Sequence, residues 1–180
     1  MPEEIQELHE QASEGAHHPS LAPVTVTMAM LAVLVAAASL LGHRAHTEQL
    51  LLQTKATDQW AYYQAKDIRR HTYELFLDET SVFALQNSEQ IERLKQKYEK
   101  EVERYRDEQK DIEAEAQKAQ DEMKVEQRRA NRFDLGEGML EASLVICSIT
   151  LLTRKRLFWR LGLAFGLVGL VIAAAGLMVR

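Results

Sequence analysis

Two carboxylates one helical turn apart, Glu137 and Glu141, stand in the otherwise apolar stretch from Phe133 to Thr153. A carboxylate inside hydrocarbon is costly and must face protein or water, so this pair is where proton or ion passage would be sought. Glu137 falls in the interfacial turns of the stretch, whereas Glu141 lies about 12 Å along the helix from Phe133. Two readings stand for Glu141. It is either protonated and bonded to a neighbouring hydroxyl or backbone group, or it belongs to a proton or ion path that three spans would line only as an oligomer.

A second constellation combines rings with hydrogen-bonding groups. Trp60, Gln64, Asp67 and His71 follow one another by four, three and four residues, and Tyr63, Asp67, Arg70 and Glu74 form an adjacent stripe. On a helix these make one polar-aromatic face. Such a face suits a ligand or partner, with His71 able to respond to pH near neutrality, or it packs on a neighbouring arm or subunit. A third pattern, Gly162-x-x-x-Gly166 followed by Gly169-x-x-x-Ala173, permits close helix approach, either within the chain or in a dimer. No glycine-rich phosphate loop, His-Glu-x-x-His, cysteine pair or nucleophile motif is present, so neither an enzyme nor a bound cofactor or metal is expected. His9, His17 and His18 lack cysteine and fixed spacing, and they read as part of a solvated tail rather than as metal ligands.

The elements that must position these residues follow from the segregation of charge. The 180 residues include 27% charged types and a net charge of −5, values of a soluble acidic protein, yet the apolar residues sit in three blocks. Residues 1–23 carry five glutamates and no Lys or Arg, and read as a disordered acidic tail. Residues 24–42 are apolar and predict a first span; the absence of a preceding positive segment favours an uncleaved anchor over a secretory signal. Residues 133–153 predict a second span and residues 157–179, whose one charge is Arg160, a third. Between these two lies the basic loop Arg154-Lys155-Arg156. The one cysteine, Cys147, is inside the second span, where it behaves as a small hydrophobe.

From Gly42 to Gly136 there is no proline or glycine, so residues 43–132 predict two long helices. In the first, Leu50, Thr54, Thr57, Ala61, Ala65, Ile68, Thr72 and Leu75 recur at three and four and are expected to form the contact seam. In the second, Ile91, Leu94, Tyr98, Val102, Tyr105, Gln109, Ile112, Ala116, Ala119 and Met123 do the same. Asp, Thr, Ser and Asn gather over residues 78–88, and Asn87 with Gln90 resembles a capping box, so the chain is expected to turn there. The fold class is therefore all-α integral membrane, with three transmembrane helices and a long antiparallel, coiled-coil-like hairpin between spans one and two. Residues 43–132 hold 17 Lys and Arg against 19 Asp and Glu, closely interspersed, a balance that argues against nucleic acid.

Two stretches, Asp58-Gln59-Trp60-Ala61-Tyr62-Tyr63-Gln64-Ala65-Lys66 and Leu152-Thr153-Arg154-Lys155-Arg156-Leu157-Phe158-Trp159, together with a leading span and a charged helical middle, resemble a bacterial family of small membrane proteins. It is the domain-of-unknown-function family numbered 4337. The likeness runs from about residue 24 to 179, and it implies a bacterial inner-membrane protein of three spans without implying an activity.

The expected function is a membrane-anchored helical scaffold whose partners are the lipid bilayer and a second copy or another membrane protein. The alternative is a subunit of an oligomeric channel or transporter that uses Glu141. For orientation, Arg154, Lys155 and Arg156 form a compact, uncompensated positive loop, which places it and the N-terminus in the cytoplasm and residues 43–132 in the periplasm. The larger raw count of basic residues flanking the spans on the other side points the opposite way, diluted there by acids over a long segment.

Overall fold

The computed structural model describes residues 21–83 and 89–179. These are almost entirely helical, in three elements: α1 (Ala22–Phe83), α2 (Glu89–Thr153) and α3 (Arg156–Leu177). Each contains a stretch long and apolar enough to cross a membrane. Residues 1–20 of the acidic tail, with His9, His17 and His18, the capping residue Asn87 and the terminal Arg180 lie outside the described residues, whereas Ala22 and Pro23, expected in the disordered tail, open α1 instead.

Both long helices run without interruption through the glycines within them: α1 continues through Gly42, and α2 through Gly136 and Gly138. A glycine inside a helix costs about 1 kcal/mol relative to alanine. Gly136 offsets this by close packing, since a Cβ there would stand 2.8 Å from the Cβ of Ala173 on α3.

The chain divides into two compact units. The first comprises the residues up to Glu48 together with those from Val125 on; the second is Gln49–Lys124. In the first unit Val24, Met28, Leu31 and Ala38 of α1 pack with Leu140, Leu144 and Cys147 of α2, and Trp159 of α3 leans on the same cluster. A second cluster joins Ala45, Ala130, Phe133 and Ala173. The buried residues of α3 are Gly162, Gly166, Gly169, Ala173 and Gly176. Small residues on this face let the backbones of α2 and α3 approach closely, as the positions of Gly136 and Gly169 show.

In the second unit the contacts between α1 and α2 run in opposite sequence directions: Lys66 meets Glu108, and further along α1 Tyr73 stacks on Tyr98. On α2 the expected seam is the one that is covered. Val102, Tyr105, Gln109, Ile112, Ala116 and Ala119 are buried, and Leu94 and Tyr98 are half-buried.

On α1 the expectation is reversed. Leu50, Thr54, Thr57, Ala61, Ala65, Ile68, Thr72 and Leu75 are all exposed, and the covered positions include instead Leu52, Ala56, Trp60, Tyr63, Lys66, Asp67, Arg70 and Tyr73, of which Lys66, Asp67 and Tyr73 contact α2. The reason is size. Rings and the long stems of Lys and Arg cover more apolar surface than Ala and Thr do, and their polar tips find partners on the facing helix.

Candidate functional site

The five residues of the polar-aromatic constellation do not share one environment. Trp60, Tyr63 and Asp67 are partly buried on the inter-helix face of the second unit, while Gln64 and His71 are exposed. Trp60 and Tyr63 meet edge to face with ring centres 5.7 Å apart. The Trp60 Nε1 donor is buried without a hydrogen-bond partner.

Asp67 is the hub of this face. It accepts from Arg70 at 2.6 Å on its own helix and from the Gln109 amide at 2.9 Å on α2. The Arg70 guanidinium, followed by the Gln109 amide, holds the Asp67 carboxyl below its ordinary range. One residue earlier, Lys66 donates to Glu108; this bond raises the lysine and lowers the carboxyl against the opposing effect of desolvation. Tyr73 stacks on both Tyr98 and Tyr105, and Phe76 meets Tyr98 edge-on at 4.7 Å. His71 lies 3.0 Å from Glu74 and 3.5 Å from Asp67, within its own helix. Asp67 and its neighbours Lys66 and Tyr73 thus belong to an intramolecular contact between two helices, with charged tips bonded across and along them, while Gln64 and His71 stand outside it.

In the first unit the glycines of α3 pack on α2, and Gly166 also on Leu31 of α1. A Cβ on Gly169 would lie 2.9 Å from the Gly136 carbonyl and 3.0 Å from the Leu140 nitrogen, and one on Gly162 would run into Cys147 Sγ. The Ser143 hydroxyl donates to the Gly162 carbonyl at 2.6 Å. Ala173 meets Gly136, as described above.

The two carboxylates of α2 differ. Glu137 is half-buried and Glu141 is exposed. The fully buried polar side chains of this segment, Ser143 and Thr150, lie with Cys147 on another face of the helix. Nearer Phe133, Asp134 accepts from His46 of α1 at 3.0 Å.

The basic loop closes α2 and opens α3. Arg154 has φ 54°, the left-handed region usual for glycine at a helix end, and its N–H donates to the Thr150 carbonyl at 2.8 Å. Lys155 is the N-cap of α3 and makes no side-chain cap bond. Beside the loop is a cavity of about 300 Å³, lined by Thr150, Arg154, Arg156 and Trp159 and, from the start of α1, by Leu21, Pro23 and Val24. The Trp159 Nε1 donates to Thr27 Oγ1 at 3.2 Å, which ties α3 to α1 at this end. The Thr150 hydroxyl is buried and has no partner.

In the sequence Arg154, Lys155 and Arg156 stand out for orientation, Trp159 only within the stretch that carries the family resemblance, and Thr150 not at all. A signal was there: Ser143, Cys147 and Thr150 follow at four and three, a polar row along an apolar helix. The pairing of His46 with Asp134, 88 positions apart, left no local trace.

Among the described residues no group of three or more His, Cys, Asp or Glu is placed to hold a metal ion. No curated protein and no solved structure matches the chain. A family model does match it over residues 20–179, so the chain, with its three long apolar-bearing helices, belongs to the family described as Domain of unknown function (DUF4337).

Proposed function

We propose that the protein is a membrane-anchored helical scaffold. Spans within residues 24–42, 133–153 and 157–179 hold it in a bacterial inner membrane, and residues 43–132 form an antiparallel helical hairpin outside the bilayer that docks a second copy or another membrane protein. The opposed order of the Lys66–Glu108 and Tyr73–Tyr98 contacts supports the hairpin. The three apolar stretches support the spans.

The observation that carries the docking role is the exposed stripe of α1. Leu50, Ile68 and Leu75 are 62%, 67% and 66% exposed, with Thr54, Thr57, Ala61, Ala65 and Thr72 between them. A helix covers one face with its neighbour, and a second stripe of apolar and small residues at the same spacing is suited to another helix. The glycine face of α3 is engaged within the unit, so docking falls to the stripe. Ile68→Cys in a Cys147→Ala background is expected to crosslink in native membranes, and mass spectrometry of the product identifies the partner. Absence of any crosslinked product from Leu50, Ile68 and Leu75 positions alike would reject the scaffold role.

Glu141 supports a second reading. An exposed carboxylate on a spanning segment requires protein or water beside it in a bilayer, as in an oligomeric channel. Glu141→Gln separates the two: loss of ion flux with assembly intact favours the channel. In orientation, the compact loop Arg154-Lys155-Arg156 places itself in the cytoplasm and the hairpin in the periplasm. Gln90→Cys in the same cysteine-free background is then labelled in intact cells by a membrane-impermeant thiol reagent that passes the outer membrane; labelling only after lysis inverts the topology.

A further inference from the structure

We propose that the cavity beside the basic loop is a binding site for a phosphate anion, supplied by the headgroup of an anionic phospholipid. The source rests on the membrane reading above; the anion chemistry rests on the cavity itself.

Four observations converge on it. Arg154 and Arg156 both line the cavity, and after Glu141 the chain has no acidic residue to compensate them. Among the described residues neither arginine enters an ion pair. Arginine's planar fork suits phosphate oxygens, two to a guanidinium.

Second, Thr150 is fully buried, lines the same cavity, and has an unpartnered hydroxyl. Helical threonines in this chain usually return their hydroxyl to the carbonyl four residues back, as Thr27, Thr47, Thr54, Thr57, Thr72 and Thr153 do. Thr150 does not. A buried hydroxyl without a partner is costly, and an oxyanion in the cavity would accept its proton.

Third, α3 begins at Arg156, on the cavity wall, and its cap residue supplies no side-chain acceptor. The first N–H groups of a 22-residue helix therefore add a partial positive charge there. Fourth, Arg154 holds a left-handed backbone where glycine would be unstrained. The strain of an arginine in this conformation is of a size that a contact made by its side chain would offset. The remaining walls, Leu21, Pro23, Val24 and the Trp159 ring, are apolar and suit the glycerol and first methylenes of a lipid rather than a fully hydrated ion. Basic pockets between spanning helices are where anionic headgroups are recognised.

The test uses the full chain with Trp60→Phe, which leaves Trp159 as the one indole. It is reconstituted in phosphatidylcholine nanodiscs containing brominated phosphatidylglycerol or, separately, brominated phosphatidylcholine at the same mole fraction. Quenching of Trp159 is expected to favour the phosphatidylglycerol by about tenfold in effective affinity, the scale of one charge-assisted hydrogen bond. Thr150→Val, close in volume, and Arg154→Gly, which relieves the backbone, are each expected to remove most of that preference, and Thr150→Ser to restore it.

Equal quenching by the two lipids overturns the site. So does a preference that survives Thr150→Val, because diffuse charge attraction would then suffice. If inorganic phosphate removes the preference where chloride of equal ionic strength does not, the anion site stands and its ligand is free phosphate. Quenching by neither lipid overturns the membrane reading. The anion site is then read in detergent from a phosphate-induced shift in Trp159 emission, and no shift overturns it too.

Discussion

The Cα of Gly169 on α3 packs against the backbone of Gly136 on α2 so closely that a Cβ on Gly169 would stand 2.9 Å from the Gly136 carbonyl oxygen. Backbone on both sides leaves nothing that can rotate away. Gly169→Ala is therefore expected to destabilise the first unit by about 1–3 kcal/mol, the usual cost of forcing atoms into a packed site. Gly138, two residues along α2, has open space around its Cα, and Gly138→Ala is expected to stabilise by up to about 1 kcal/mol through helix propensity. Thermal unfolding of the two variants in one detergent checks the opposite signs.

The Ser143 hydroxyl bonded to the Gly162 carbonyl predicts a small loss. On the spanning reading, where interhelical hydrogen bonds average about 0.6 kcal/mol, Ser143→Ala should lower stability by roughly that and not by several-fold more. A loss above about 2 kcal/mol would mean that the serine also serves packing with Gly166, whose added Cβ would meet its Oγ at 2.9 Å.

The two apolar stripes of the second unit make a contrasting pair. Ala116 is fully buried, so Ala116→Leu should overpack the contact between α1 and α2 and cost about 1–3 kcal/mol. Ile68 is exposed, so Ile68→Ser should change stability by no more than about 0.5 kcal/mol while weakening association. Melting curves and sedimentation of both variants measure the two effects separately.

The pH dependence of the second unit follows from Asp67 and Glu108 below, and Lys66 above, their ordinary values. The carboxylates contribute fully above their unfolded pKa values near 4 and lose that contribution as pH falls through the lower folded values. Lys66 contributes fully below about 10.4, its unfolded value, and loses it as pH rises through its folded one. The urea midpoint read by Trp60 emission in a Trp159→Phe background should accordingly be level from about pH 5 to 9 and fall below about 4. Asp67→Asn with Glu108→Gln should flatten the acid limb.

Much of this architecture is legible along the chain. Three apolar blocks, and ninety-odd residues between Gly42 and Gly136 without a proline or glycine, favour long helices because nothing in them interrupts the helical hydrogen-bond ladder. The seam of α2 is equally plain: in a strongly charged stretch, Val102, Tyr105, Ile112, Ala116 and Ala119 leave one apolar phase. On α1 the sequence holds two phases, small-residue and polar-aromatic, and periodicity ranks neither. Only the facing helix decides, because Glu108 and Gln109 supply partners for Lys66 and Asp67 that the small-residue stripe cannot use. The glycines of α3 show the same limit. A small-residue spacing says that some backbone approaches closely, and only the placement of Gly136 against Ala173 and Gly169 says whose. Periodicity belongs to a single helix and can be read from its residues; contact belongs to a pair, and in this protein the members of each pair are brought together from positions far apart in the chain.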